Sequence, residues 1–302
     1  MNSFLPSRYD ERILRGAVAL QLWDGARDSR LPSTADVVIE REDAALPQWS
    51  LDQAIGEPDD VDAEGRYRFP KRPMRRRAVN LHAIVYPQPL PPGRPAPPPK
   101  VAFEVRVVDA RGQYIPRRLR LPVPAAADPD NAGRPLLRIR RAALFPAAPY
   151  DLVSGSTGIR GRVTLANRPV RWARVVVPAA SGVATDPPRA VAHGDEKGEF
   201  LLIVPASVTP TLSATRTFSL PLTIGVSPAL TPAVELAIRR DRFSDVPLDT
   251  IGPAQAIGGS SPARPALDRA AMGWTIPAAY TAHDGGSITF TAGRIHREVF
   301  AF

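Results

Sequence analysis

Apolar and polar residues alternate with a period of two along most of this chain. In 14-LRGAVALQLW-23, Val18, Leu20 and Leu22 alternate with Ala17, Ala19 and Gln21, and 36-DVVIER-41 is also strand-like. This is the pattern of strands that bury one face. The same habit marks 79-VNLHAIVYP-87, 101-VAFEVRVV-108, 117-RRLRLPV-123 and 136-LLRIRR-141. From residue 158 it sharpens: Ile159, Gly161 and Val163 lead to a turn at Asn167-Arg168-Pro169, then Ala173, Val175 and Val177 follow. The segments 217-TFSLPLTIGVSP-228 and 233-AVELAIRR-240 are predicted to complete that strand set. In the tail the pattern predicts a strand pair near 274–280 and 287–292, with a brief helix at 266–272. Short strands at regular spacing, broken by proline and glycine, point to an all-β fold of sandwich type.

One turn occurs twice. The stretch 62-DAEGRYRF-69 is matched by 195-DEKGEF-200, with Gly65 and Gly198 placed to take the positive φ that a tight turn demands. Tyr67 and Phe69, and Phe200 and Leu202, then point to a core. Both stretches read as hairpins.

Composition changes this picture in three ways. The chain has 35 prolines in 302 residues, about twice the usual share, scattered rather than periodic. This disfavours long helices and excludes a collagen-like structure. The segment 87-PQPLPPGRPAPPPK-100 should be an extended spacer between strands. There is no cysteine, so disulfides and thiolate metal sites are excluded. The first residues carry charges where a secretory signal needs an apolar run, and no stretch has the length of a membrane-spanning helix. The expectation is therefore a cytoplasmic protein, or one inside a particle assembled in the cytoplasm, with no membrane partner.

The net charge of +9 is unevenly distributed: residues 1–65 hold 6 basic and 14 acidic side chains, and residues 66–141 hold 18 and 4. Such a basic block can meet an acidic partner, whether nucleic acid or protein. Arg106, Arg118, Arg120, Arg138 and Arg140 fall on the polar positions of the alternating strands, which predicts an arginine ladder over a buried aliphatic face. The apolar terminus 298-EVFAF-302, with Phe300 and Phe302, is suited to docking. Together these seven residues are the candidate interface.

Gly161 and Val163, Pro169 and Val170, Ala173, Val175 and Val177, and then Asp195, Gly198 and Phe200 occur in an order that resembles the carboxypeptidase regulatory-like family of transthyretin-type β-sandwiches. The resemblance covers about residues 155–228. A looser version, Gly16 with Val18, Pro32, Val37 with Ile39, then Asp62, Gly65 and Tyr67, suggests a second copy. It implies two immunoglobulin- or transthyretin-like sandwiches, at 1–124 and 158–240, joined by a connector at 125–157 and followed by a C-terminal extension at 241–302. It also implies a structural or binding module without active-site residues. The stretch 144–163 bears a weaker resemblance to accessory structural proteins of contractile injection systems and phage tails.

Chemistry is sparse. His82, His193, His283 and His296 are dispersed without metal-ligand spacing, and 154-SGSTGIRG-161 lacks both the P-loop lysine and the Gly-x-Ser-x-Gly elbow. The acid pairs Glu42-Asp43 and Asp59-Asp60 lack a calcium-loop spacing. No catalytic residue, cofactor or metal is expected. The leading expectation is a non-enzymatic assembly component that docks to protein subunits, and to further copies of itself, through its arginine faces and tail. The rival is a polysaccharide-binding module acting with a separate enzyme. Nucleic-acid binding is the third reading, disfavoured because few aromatics interleave with the arginines.

Overall fold

The computed structural model describes residues 16–27, 29–31, 35–44, 60–61, 67–73, 75–78, 81–85, 100–122, 139–182, 188–209, 216–251 and 276–302. In chain order its elements are β1 (Gly16–Asp24), β2 (Ser29–Arg30), β3 (Asp36–Ala44), β4 (Asp60–Val61), β5 (Tyr67–Pro73), β6 (Arg75–Ala78), β7 (Leu81–Val85), β8 (Lys100–Val108), β9 (Arg117–Pro122) and β10 (Ile139–Leu144). There follow β11 (Thr157–Leu165), β12 (Arg168–Pro169), β13 (Arg174–Val177), β14 (Ala190–His193), β15 (Glu199–Val204), β16 (Thr217–Val226), α1 (Pro232–Arg240), β17 (Leu248–Thr250), β18 (Thr281–Thr291) and β19 (Ile295–Ala301). The protein is all-β in character, with one short helix among the described residues.

The strands form four sheets that share cores in pairs. In the first pair, the order β10-β1-β7-β6, with β2 beside β1, faces β17-β9-β8-β3-β5-β4. Leu20, Leu22 and Leu144 from one sheet meet Val37, Ile39, Phe103, Val105, Val107, Leu119 and Leu121 from the other. In the second pair, β12-β11-β15 with β19 beside β11 faces β14-β13-β16-β18. Ile159, Val163, Phe200 and Leu202 there meet Ala173, Val175, Val177, Leu222 and Ile224. These apolar positions of the alternating pattern lie in the two cores.

Strand β15 serves both cores. Phe200, Leu202 and Val204 enter the second, whereas Leu201, which has no exposed surface, enters the first. A strand buried on both faces is a continuous apolar run, as FLLIV is here. The two sheet pairs are therefore welded along β15.

The turn at 195–199 is tight, as its sequence predicts. The Gly198 amide donates to the Asp195 carbonyl at 3.1 Å, and Gly198 has φ of 74°. Asp195 Oδ1 accepts from the amides of Lys197 and Glu199. It is not a simple hairpin, however, because β14 and β15 belong to different sheets and the turn forms the corner between them. Gly161 lies opposite Phe200 in the β11–β15 register, and a Cβ there would sit 2.6 Å from the phenyl ring. In the upstream stretch, Val61 pairs with Tyr67 and Asp60 with Arg68, so the chain doubles back; residues 62–66 lie outside the described residues.

Elsewhere the structure departs from expectation. Residues 233–240 are helix, not strand. Thr231 caps the helix, its Oγ1 accepting from the Val234 amide at 3.3 Å, while Pro232 opens it and Arg239 and Arg240 close it. These end signals override the two-residue alternation of Val234, Leu236 and Ile238. The described part of 274–280 is a turn, with the Tyr280 amide bonded to the Pro277 carbonyl, and the strand begins at Thr281. The expected connector supplies β10, which pairs in parallel with β1. The expected C-terminal extension is divided: β17 joins β9 in the first pair, while β18 and β19 complete the second, on β16 and β11. The proline-rich segment up to residue 99 and the helix expected at 266–272 lie outside the described residues.

Gly198→Ala places a side chain at positive φ with its Cβ 2.5 Å from the Val163 carbonyl oxygen. A loss of about 2 kcal/mol or more is expected, measured as a lowered midpoint in urea unfolding.

Candidate functional site: an aspartate strap across two sheet pairs

The arginine face of β8 and β9 is covered by the chain itself. Arg106 and Arg118 lie directly opposite each other in the β8–β9 register. Two like charges in that position repel, and Glu40 of β3 resolves the conflict. One Glu40 carboxylate oxygen pairs with Arg106 and the other accepts from Arg118 Nε at 2.7 Å. One pair along, Arg120 opposes Glu104 and approaches it at 3.5 Å. Arg118 also donates to the carbonyls of Ser244 and Val246.

Above this face runs 241-DRFSDVPLD-249, with an aspartate at every fourth position. Both Asp241 carboxylate oxygens accept from Arg106 Nη1, each at 2.8 Å, and Oδ1 also accepts from the Phe243 amide. Asp245 is held at 2.6 and 2.9 Å by Arg171, which precedes β13. Asp249, on β17, lies between Arg117 of the first sheet pair, at 2.7 Å, and Arg174 of the second, at 3.2 Å. The segment is a strap whose carboxylates engage, in turn, the first pair, the second, and both.

Burial raises the stakes at the third aspartate. Arg117 and Arg174 are 1% and 3% exposed, and Arg117 also donates to the Ala143 carbonyl. Desolvation lowers the Arg174 pKa against the opposing pull of Asp249. The Arg171 pKa is raised, chiefly by its hydrogen bond to Asp245. Tyr280 donates to the Trp172 carbonyl at 3.1 Å, and burial pushes its pKa up to about 12.

His193 closes the same seam. It pairs with Arg174 across β13 and β14 and stacks on Phe145 at 3.5 Å between ring centroids, while the Arg117 guanidinium sits 5.3 Å from the same ring. The histidine is fully buried, and neither ring nitrogen has a hydrogen-bond partner among the described residues. Its pKa is held well below the ordinary 6.5 by burial first, then by Arg174 and Arg117. It is a neutral ring in a cationic, dry setting.

A second buried acid, Asp24 at the end of β1, is saturated. Its Oδ2 accepts from the Tyr114 and Tyr150 hydroxyls at 2.7 and 2.6 Å, and its Oδ1 accepts from the amides of Ala26 and Arg27. The pKa values of both tyrosines are raised by burial and then by that carboxylate. An acid with four donors and no access to solvent is a clamp rather than a general base.

The seven residues expected to form an interface are placed as follows. Arg106 is buried in its ion pairs, and Arg118 and Arg120 are partly buried against acids. Arg140 is 2% exposed, with its pKa lowered by burial. Arg138 lies outside the described residues. Phe300 is in the second core, 6.0 Å from the Phe200 ring. Phe302 packs against that core, its amide bonded to the Thr164 carbonyl. The described side chains among these are wholly or partly buried, with the strap over Arg106 and Arg118 and the tail folded back onto the second core. The sequence reading missed Asp241, Asp245 and Asp249; their four-residue spacing was the available signal.

Among the described residues no cluster of three or more His, Asp or Glu could hold a metal ion, and no helix is long and apolar enough to cross a membrane. No family model, curated protein or solved structure matches the chain.

Asp249→Asn leaves two buried guanidinium groups short of a counter-charge, and a loss of about 3 kcal/mol or more is expected in chemical denaturation. His193 sets a pH dependence. Its folded pKa is depressed, so its contribution is complete above pH 6.5 and is lost as the pH falls from there toward the folded value. His193→Phe should keep the stacking on Phe145 and remove this acid-side slope, read as the difference in unfolding free energy between the two proteins from pH 8 to pH 5.

Proposed function

We propose that this chain is a non-enzymatic structural component of a protein assembly, built from two transthyretin-like sandwiches of the carboxypeptidase regulatory-like kind. The strap carries this reading. Asp241, Asp245 and Asp249 tie the sheet pairs together through Arg106, Arg171, Arg117 and Arg174, which suits a body that must hold a fixed shape while neighbours bear on it. Two titratable groups with perturbed surroundings also serve the fold, since His193 is sealed in the seam and Asp24 is saturated by its donors. The assembly in view is a particle built in the cytoplasm, of the phage-tail or contractile-injection kind, in which several copies can sit side by side.

With the expected arginine ladder covered, docking falls to other surfaces. Strand β19 is an edge of its sheet and exposes 70% of Val299, and α1 exposes 51% of Leu236. Edge strands recruit partners by extending the sheet.

A polysaccharide-binding reading draws on one observation. Thr217, Ser219, Ser287 and Thr289 are exposed on the paired strands β16 and β18, and Ser219 Oγ lies 3.0 Å from Thr289 Oγ1. A flat row of hydroxyls can meet a glycan, but the aromatic pair beside it, Phe218 and Phe290, is stacked ring on ring and packs with the second core.

Affinity purification from the native cell, followed by mass spectrometry and negative-stain microscopy, tests the proposal. Co-purification of stoichiometric structural subunits as particles is expected. Isolation of a free monomer, together with saturable binding on a glycan array, would favour the polysaccharide reading.

A further inference from the structure

Where the edges of the second sheet pair diverge, a cleft of about 280 Å³ opens against the first pair. Its walls come from the Gly25–Arg27 turn after β1, from Phe145 and Pro146, from the start of β14, and from β15 with the turn that follows it. The apolar surface of the cleft comes from the partly exposed Val191, Ile203 and Pro205, with Phe145 and Leu201 buried beneath them.

Two arginines line this cleft, Arg27 and Arg189, and among the described residues no carboxylate does. Arg27 donates to the Asp151 carbonyl at 2.8 Å and lies 5.0 Å from the Tyr150 ring centroid, so its position is held while its charge is unmatched among the described residues. Asp24, a described acid three residues before Arg27, is taken up by two hydroxyls and two amides. Arg189 has no ion pair among the described residues. This contrasts with the strap, where Arg106, Arg117, Arg171 and Arg174 each meet an aspartate. The cleft is also bounded by β14, which is the outer strand of its sheet.

We propose that this cleft is a docking socket for a short acidic segment of a partner protein, an apolar side chain on the floor and flanking carboxylates on Arg27 and Arg189. The inference rests on the assembly reading above and names the chemistry of one contact within it. The charge complementarity selects the occupant: guanidinium pairs recognise carboxylates bidentately, and the volume admits one or two side chains rather than a folded surface. A basic segment meets two cations that have no ion pair among the described residues.

The test uses the full chain and two fluorescent peptides, acetyl-Glu-Leu-Glu-Phe-Glu-amide and its lysine counterpart, in anisotropy titrations at low and moderate salt. The acidic peptide should bind saturably and the lysine peptide should not. Arg189→Gln should weaken binding by about tenfold, and Arg27→Gln/Arg189→Gln by more. Melting curves establish that both variants fold; Arg189→Gln alters no interaction described above and serves as the cleaner of the two. Absence of saturable binding by the acidic peptide, or equal binding by wild type and double variant, overturns the socket. Native purification of the double variant separates the two levels. If it retains the partners that wild type captures, the socket is wrong and the assembly reading stands; if wild type itself captures none, the assembly reading is the one that fails.

Discussion

The pairing of buried arginines with aspartates from a single late segment is the interaction on which the rest of this structure depends. A guanidinium removed from water is costly unless a carboxylate meets it with good geometry. Here the arginines are distributed over strands of both sheet pairs, and the carboxylates arrive together on residues 241–249. That segment supplies a carboxylate to each of the buried Arg106, Arg117 and Arg174 and to the partly buried Arg171. At the weld along β15, Leu201 crosses into the first core between Phe200 and Leu202 of the second.

The seam is therefore of two kinds of material. Along β15 it is aliphatic, contributing non-directional stabilisation through burial. Along the strap it is ionic and directional, which selects one arrangement of the two sheet pairs over others. The geometry of Asp249 between Arg117 and Arg174, and of His193 stacked on Phe145, leaves little freedom to slide. Specificity from buried charge is a known use of such groups, though not a universal one.

Much of the fold was legible because a period of two reads out directly as one buried and one outward face. Leu20, Leu22, Val105, Val107, Leu119, Leu121, Val175 and Val177 lie in the cores for this reason. The pattern failed where end signals outweighed periodicity, as at the helix opened by Thr231 and Pro232. It also failed where the outward face was itself covered. Alternation says which side a residue lies on, but it cannot say whether another part of the chain returns to lie over that side, and Arg106 at 6% exposure is the result. The candidate site was hidden by the same limit, since Asp241, Asp245 and Asp249 acquire meaning only from arginines 74 or more residues away. The socket is less legible still, because Arg27 and Arg189 are brought together by the corner at 195–199 and by the turn after β1.

Three parallel pairings, β1 with β10, β9 with β17, and β11 with β19, have a consequence for how the protein is made. Parallel neighbours require long excursions of chain between them, and each of these joins an early strand to a much later one. A nascent polypeptide that has emerged through residue 122 has the antiparallel partners of the first sheet pair but lacks β10, β17 and the strap. Its arginines are then still solvated, and the edge of β9 is open. Closure of the first half waits for the ribosome to deliver residues 241–250, and closure of the second waits for the last strand. Folding is thus non-local and late, a topology that slows formation and prolongs exposure of unpaired edges. A cut between the halves strips the first of β17 and the strap, whereas every strand of the second lies on one side of the cut.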